Sequence, residues 1–182
     1  VFVVINPTTK ANKLLYILNN CQASALVTDA RALSAGFGDR LLADVKSLQS
    51  IVICGVKAGQ SVPNSLHCLD FAAIQAKFPA DRPPRTGIDL DLACLVYTSG
   101  TTGEPKGVMC DHNNVVFASG SIIQYVQNVG SDIVLNIMPL SFDYGLYQLL
   151  MTFRFGGTLV LEDSFAFPVA ILQRIEQEHV TG

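Results

Sequence analysis

The sequence predicts an α/β fold built from layered, largely parallel sheets that are flanked by helices. Short apolar runs of strand length alternate with longer segments of helical periodicity, and this alternation is typical of parallel sheets. The 182 residues are 49% hydrophobic and only 15% charged, whereas ordinary soluble domains carry about 25% charged residues. Such a composition excludes disorder. It also suits a piece of protein whose apolar faces are covered by the remainder of its own chain.

Charge and cysteine content exclude several function classes. The net charge is −3, and no cluster of Lys and Arg is present, so nucleic-acid binding by bulk electrostatics is not expected. No apolar run is long enough to span a membrane, and no signal peptide is visible. The five cysteines form no C-x-x-C pair and the three histidines are scattered, which argues against a metal site. Reduced thiols and a cytoplasmic location are the expectation.

The first part of the chain carries four apolar runs of strand length and three helical segments. Residues 1–5 are continuously apolar and begin without an initiator Met, so we expect a boundary there rather than a native N-terminus. Thr8-Thr9 can cap the first helix, which has Leu14 and Leu18 on one face. Strands are expected at residues 1–5, 25–28, 51–54 and 66–69, and helices at residues 10–20, 33–48 and 71–78.

A proline-rich linker follows these elements. Residues 79–87 contain Pro83-Pro84, and adjacent prolines favour extended backbone and end a helix. We therefore expect residues 1–86 to be one α/β subdomain portion and residues 87–182 to be another.

The second part of the chain repeats the alternation with stronger signals. Asp111 is a plausible helix cap, Gly156 follows a helical segment in the way of a C-terminal glycine, and Pro168 stands in a first helical turn. Strands are expected at residues 93–97, 108–110, 134–138 and 158–161, and helices at residues 112–127, 143–155 and 168–179.

The ten residues 98–107 have the composition of a polyphosphate-binding loop. Glycines permit close backbone approach, exposed N–H and hydroxyl groups form a concave anion site, and a lysine adds a mobile charge. The string is not the common P-loop, because Lys106 is followed by Gly107 rather than by Ser or Thr. The expected shape is strand, loop, strand, and the alternative is a surface hairpin with incidental glycines. The candidate phosphate-binding residues are Thr98, Ser99, Gly100, Thr101, Thr102, Gly103 and Lys106.

The segment from Leu95 to Val108 resembles the signature phosphate loop of the AMP-forming adenylate-forming enzymes, which include acyl-CoA synthetases, adenylation domains of nonribosomal peptide synthetases, and luciferases. Two weaker resemblances, at residues 6–25 and 138–145, extend it along essentially the whole chain. The resemblance implies part of the large N-terminal domain of that fold, with the C-terminal domain absent. It also implies that Lys106 assists catalysis during adenylation.

Activity and partners follow from the same resemblance. It implies activation of a small-molecule carboxylic acid with ATP and Mg2+, followed by transfer to coenzyme A or to the phosphopantetheine of an acyl carrier protein. The family's later acidic, ribose-binding and C-terminal lysine motifs are not found here, so we expect the 182 residues alone to be inactive. An ATP-binding module without chemistry is the alternative.

A second candidate site begins at Phe142-Asp143. Asp143 is the only charge between Leu140 and Leu150, and a buried carboxylate needs a partner. It either caps the following helix, by accepting from a backbone N–H two or three residues on, or faces a substrate cation. The resemblance to the peptide-synthetase branch implies the second role, with the carboxylate on an amino acid's α-ammonium group. Phe142, Asp143, Tyr144 and Tyr147 are the candidate pocket residues. No metal ligand is predicted.

Two cysteines accompany the phosphate loop in sequence. Cys94 and Cys110 lie in or near apolar strands on either side of it, and we expect both to pack as inert small hydrophobes.

Overall fold

A computed structural model describes residues 1–31, 43–57, 67–98, 104–162 and 164–182. It contains two compact units. One consists of Val1–Asn6 together with Thr86–Gly182, and the other of Pro7–Arg85. The expected division into subdomain portions at residue 86 stays a prediction.

The unit Pro7–Arg85 is organised around a parallel sheet. Its elements are helix α1 (Ala11–Asn20), strands β2 (Ala25–Asp29), β3 (Ser50–Cys54) and β4 (His67–Asp70), and helix α2 (Phe71–Lys77). Strand β3 lies in the middle of the order β2-β3-β4, and it buries Ile51 and Ile53. Helix α1 buries Ile17 and Leu18, which are adjacent in sequence. The predicted strands of this unit are confirmed within one or two residues.

One local prediction in this unit is wrong, and a second is tested only at its end. The N-cap of α1 is Lys10, which makes no side-chain cap hydrogen bond, rather than a threonine. Residues 33–42 of the helix predicted at residues 33–48 lie outside the described residues. Ala43 and Asp44 are helical as predicted. The segment then ends in a turn, in which the Leu48 N–H donates to the Val45 carbonyl at 3.1 Å. Val45 and Leu48 are both buried, so their helix-like spacing reflects core packing of a turn.

The second unit contains a sheet with one antiparallel pair. Its strands are β1 (Phe2–Val3), β5 (Leu92–Thr98) and β6 (Lys106–Asp111), in the order β1-β5-β6. Strand β1 is parallel to β5, whereas β6 is antiparallel to it. The strand predicted at residues 1–5 is shorter than expected, because only Phe2 and Val3 have ladder partners. All other strand pairs among the described residues are parallel.

The rest of this unit contains a two-stranded parallel sheet and three helices among the described residues. Helix α3 (His112–Val126) leads to β7 (Ile133–Asn136), α4 (Asp143–Phe155), β8 (Thr158–Leu161) and α5 (Pro168–Gln177). Asp111 caps α3 in a reciprocal capping box with Asn114, and Gly156 ends α4 in the left-handed region at φ 82°. The predictions for these helix ends are confirmed. Among the described residues, no helix is long and apolar enough to cross a bilayer.

Candidate functional site

The candidate phosphate loop connects two strands of an antiparallel hairpin. Thr98 ends β5, Lys106 begins β6, and these two residues stand opposite each other in the ladder. The flanking strands therefore agree with the predicted strand, loop, strand arrangement. Lys106 is exposed and Pro105 beside it is buried. The other predicted phosphate residues, Ser99, Gly100, Thr101, Thr102 and Gly103, lie outside the described residues.

Gly107 is a close-packed position in this hairpin. It lies opposite Tyr97, and a Cβ at residue 107 would lie 3.0 Å from the Cζ atom of the Tyr97 ring. The aromatic ring thus covers the backbone immediately after Lys106. A glycine here lets the ring lie against the strand, which accounts for the glycine that follows the lysine.

Helix α4 begins one residue earlier than an Asp143 cap would require. Phe142 is the N-cap and makes no side-chain cap hydrogen bond, and Asp143 is the first helical residue. The Asp143 Oδ1 atom accepts from the N–H of Tyr144 at 2.8 Å. The capping alternative, with a bond two or three residues on, is therefore wrong. The carboxylate side chain is exposed at the N-terminal end of the helix, where the helix dipole favours a negative charge.

A cavity of about 390 Å³ lies beside this end of α4. Of the four predicted pocket residues, Asp143, Tyr144 and Tyr147 line it, whereas Phe142 is not among its lining residues and is 53% exposed. Asp143 is the only charged residue in the described lining. The remaining lining residues come from α3, β7, α4 and the segments after α3 and α5: Ile122, Val126, Asn128, Val134, Gln148, Met151 and Gly182.

Tyr147 connects the cavity with the hairpin. Burial is the main cause that raises the pKa of its phenol, and the nearby Cys110 and Cys94 thiols and the Asp143 carboxylate raise it further. Each of these groups disfavours the phenolate. Tyr147 is therefore a neutral phenol at neutral pH. It lies on the part of the cavity wall that is near Cys94 and Cys110.

Asn136 anchors the helix that carries these residues. It is the last residue of β7 and is 0% exposed. Its Nδ2 atom donates to the Gly145 carbonyl at 3.1 Å, and its Oδ1 atom accepts from the Met138 N–H at 2.9 Å. The side chain thus ties the end of β7 to the first turn of α4. Sequence reasoning missed this residue, although a lone amide in the apolar run 133–138 was a usable signal.

Gly145 completes that anchor. A Cβ at this position would lie 2.5 Å from the Pro139 carbonyl oxygen and 2.6 Å from the Met138 carbonyl oxygen. Real side chains do not approach backbone oxygens so closely, so the helix reaches this position only with glycine. The connection 137–142 and the first turn of α4 are therefore packed backbone against backbone.

Arg154 joins the two helices that form the cavity walls. From the last turn of α4, its Nη1 atom donates to the Val116 carbonyl and, at 2.8 Å, to the Ser119 hydroxyl on α3. Ser119 is itself buried. Because Ile122 and Val126 on α3 and Tyr144 and Tyr147 on α4 line the same cavity, this contact fixes the two walls relative to each other.

The sequence profile described as AMP-binding enzyme matches residues 1–182, the whole of the chain. The chain belongs to the AMP-binding enzyme family. It is 35% identical over 165 residues to phosphinothricin tripeptide synthetase PhsC of Streptomyces viridochromogenes, and 26% identical over 181 residues to the D-alanine–D-alanyl carrier protein ligase of Bacillus licheniformis. These alignments cover 89% and 98% of this chain but 13% and 31% of those two proteins.

Solved structures of AMP-binding enzymes share the fold. The anthranilate CoA ligase AuaEII, solved in complex with anthranoyl-AMP, superimposes with a TM-score of 0.79 at 22% identity. The match covers 95% of this chain and 32% of that ligase. The predicted α/β architecture of the N-terminal domain of adenylate-forming enzymes is thereby confirmed. This chain therefore spans only a small part of the length of its relatives.

The described residues do not offer a metal centre of their own. Among them, no group of three or more His, Cys, Asp and Glu side chains is placed to hold a metal ion. Magnesium at a nucleotide is held by one or two carboxylates together with phosphate oxygens rather than by a protein cage, so the magnesium ion expected from the family resemblance stays a prediction.

Proposed function

We propose that the protein carrying this chain activates a carboxylic acid with ATP and transfers the acyl group to a thiol. A carboxylate oxygen attacks the α-phosphorus of ATP, the bond to the pyrophosphate oxygen breaks, and an acyl-adenylate and pyrophosphate form. A thiol sulfur then attacks the acyl carbon, giving a thioester, AMP and the released thiol proton. The observation that carries the proposal is the match of the whole chain to the AMP-binding enzyme family.

The hairpin supplies the proposed phosphate contacts. Thr98 and Lys106 face each other at the end of the β5–β6 ladder, on either side of the Ser- and Thr-rich residues 99–103. In this proposal the Lys106 ammonium group stabilises charge that develops on the phosphates during adenylation. Thr98 and the loop residues Ser99, Gly100, Thr101, Thr102 and Gly103 bind the phosphate oxygens.

The cavity beside α4 is the proposed site for the acid. Its lining is mostly apolar, with two tyrosines on one helix and Asp143 as the one charged side chain. Apolar walls with a few polar groups are the usual composition of a small-molecule site. Tyr144 and Tyr147 stand three residues apart on the same side of α4, so that both contact whatever enters.

The test is exchange of radiolabelled pyrophosphate into ATP by the full-length protein, across amino, aryl and fatty acids. Replacing Lys106 with Ala should lower the exchange rate by about a hundredfold, because a charged group that stabilises the transition state is lost. Lys13→Ala is the matched control, since Lys13 is an exposed lysine on α1. Equal rates for the two variants would refute the role of Lys106. A protein that binds ATP but exchanges no pyrophosphate with any acid would be a binding module without chemistry.

Amino-acid adenylation is the candidate that Asp143 favours. Its carboxylate is the one charged side chain in the described lining of the cavity, and a carboxylate is the natural partner of an α-ammonium group. Asp143→Asn should raise the KM for an amino acid by about tenfold to a hundredfold, since a hydrogen bond to a charged group contributes about 1.5 to 3 kcal/mol. The same variant should leave the KM for ATP unchanged. A protein that prefers plain fatty acids, with no response to Asp143→Asn, would exclude this candidate.

Two further points belong to the same proposal. The isolated 182 residues should show no pyrophosphate exchange, because the family's acidic and C-terminal lysine motifs are not in this sequence, and robust exchange by them would contradict this. We also propose a reducing, cytoplasmic setting, which five cysteines without a C-x-x-C pair support. The thiol acceptor, coenzyme A or a carrier protein, is to be found by supplying each to the adenylated protein.

A further inference from the structure

Two cysteines face each other across the hairpin that carries the candidate phosphate loop. In the β5–β6 ladder, Cys94 stands directly opposite Cys110. Residues directly opposite in an antiparallel pair have Cα atoms about 4.5 to 5.5 Å apart, with side chains on the same face. Disulfides span Cα separations of about 4.4 to 6.8 Å. The backbone therefore already holds these two residues at a bridging distance.

The side chains differ in access to solvent. Cys94 is 2% exposed and Cys110 is half-buried, and both are free thiols. Burial, the charge of Cys110 and a hydrogen bond between the two thiols raise the pKa of Cys94 to about 11. Cys94 therefore stays protonated at neutral pH, while Cys110 is the sulfur that a small reagent reaches first.

We propose that Cys94 and Cys110 form an oxidative modification site that takes a two-electron oxidant of the hydroperoxide class. The Cys110 sulfur attacks a peroxide oxygen, the O–O bond breaks, and a sulfenic acid forms with release of water or an alcohol. The Cys94 sulfur then attacks the Cys110 sulfur, the S–S bond forms, and the S–O bond breaks as water leaves with the Cys94 proton. Two thiols are oxidised to one disulfide and one peroxide is reduced, and a dithiol reductant reverses the change.

This site differs from the inert packing expected from the sequence. The two cysteines are separated by fifteen residues in the chain, and only the strand register shows that they oppose each other. A disulfide here would close a covalent ring around the segment that includes Thr98 and Lys106. An effect of this ring on phosphate binding rests on the proposed function. Formation of the disulfide itself does not rest on it.

Peptide mapping tests the proposal directly. The full-length folded protein is treated with hydrogen peroxide, free thiols are alkylated in denaturant, and trypsin is added. Cleavage after Arg85, Lys106 and Arg154 places Cys94 and Cys110 on separate peptides that contain no other cysteine. The expected product is residues 86–106 joined to residues 107–154, lighter than the sum of the two free peptides by two hydrogen atoms. It should disappear on reduction.

Two variants make the test specific. Cys110→Ser should abolish the cross-link and leave Cys94 fully alkylated. Cys54→Ser should leave the cross-link intact, because the residue opposite Cys54 in the β2–β3 ladder is Asp29 and not a cysteine. The proposal is overturned if both peptides are recovered alkylated or further oxidised but unlinked. It is equally overturned if the cross-link forms only when denaturant is present during oxidation.

Discussion

Replacement of Asn136 by Ala should destabilise the wall of the cavity. The substitution removes the donor to the Gly145 carbonyl and the acceptor for the Met138 N–H, both inside the protein. A lost hydrogen bond costs about 1 kcal/mol, and a buried group left without a partner costs about 1 to 3 kcal/mol. We therefore expect the free energy of unfolding of this unit to fall by about 3 kcal/mol.

Hydrogen–deuterium exchange is the assay, because it resolves the stability of individual segments. A loss of about 3 kcal/mol corresponds to roughly a hundredfold faster exchange, since 1.4 kcal/mol is a factor of ten. The acceleration should be centred on residues 136–146. Asn113→Ala is the matched control, since Asn113 is an exposed asparagine on α3, and surface changes usually stay within about 0.5 kcal/mol. If the two variants exchange alike, Asn136 is not an anchor.

A second variant separates the two hydrogen bonds. Asn136→Asp keeps an acceptor for Met138 but lacks the donor to Gly145 while it is ionised. Burial raises the pKa of such a carboxyl group, and the protonated acid can again donate to the Gly145 carbonyl. The variant should therefore lose least stability at mildly acidic pH and most at alkaline pH. A loss that did not depend on pH would contradict this account.

Two further predictions concern polar contacts elsewhere in the same unit. Arg154→Ala should lower the free energy of unfolding in urea by about 1 to 2 kcal/mol, because Ser119 loses a charged donor. Arg174→Ala, which breaks the ion pairs of an exposed arginine with Glu162 and Glu178, should cost less. A hydrogen bond from the Val129 N–H is the main cause that holds the pKa of Asp132 below its ordinary value of 3.8. The stability that this carboxylate contributes to the fold is therefore present above pH 3.8 and is lost as the pH falls below that value. Asp132→Asn should therefore flatten the acid side of the unfolding profile, and an unchanged profile would refute the assignment.

Element type could be read from the sequence because local signals and tertiary packing agree. The apolar run at residues 93–97 becomes the buried strand β5, and Gly156 ends α4 as its backbone freedom suggests. Where the two disagreed, the predictions failed. Val45 and Leu48 have helical spacing, yet they fill the core from a turn. The spacing of apolar residues therefore predicts which side chains are buried more reliably than it predicts the secondary structure that they belong to.

The candidate site was harder to predict because its parts meet only in the folded chain. Asp143, Tyr144 and Tyr147 were accessible to sequence reasoning since they lie on one helix. Another wall of the cavity comes from α3, and the sequence of that helix has no pattern that predicts a cavity. The capping prediction failed because an N-cap depends on the dihedral angles of one residue, and Phe142 rather than Asp143 is extended. Asn136 stands out as an amide in an apolar run, but its partner is a carbonyl nine residues away, and no local pattern identifies that partner.

The glycine at the start of α4 has a practical consequence for changing acid preference. The helix is secured through Gly145, a residue with no side chain, and not through the exposed Tyr144 beside it. Tyr144 is 65% exposed and makes no part of that backbone contact. Random libraries at residue 144 should therefore yield many folded members, whereas the half-buried Tyr147 should tolerate fewer replacements. Directed evolution can thus change the cavity wall through residue 144 while the scaffold stays intact.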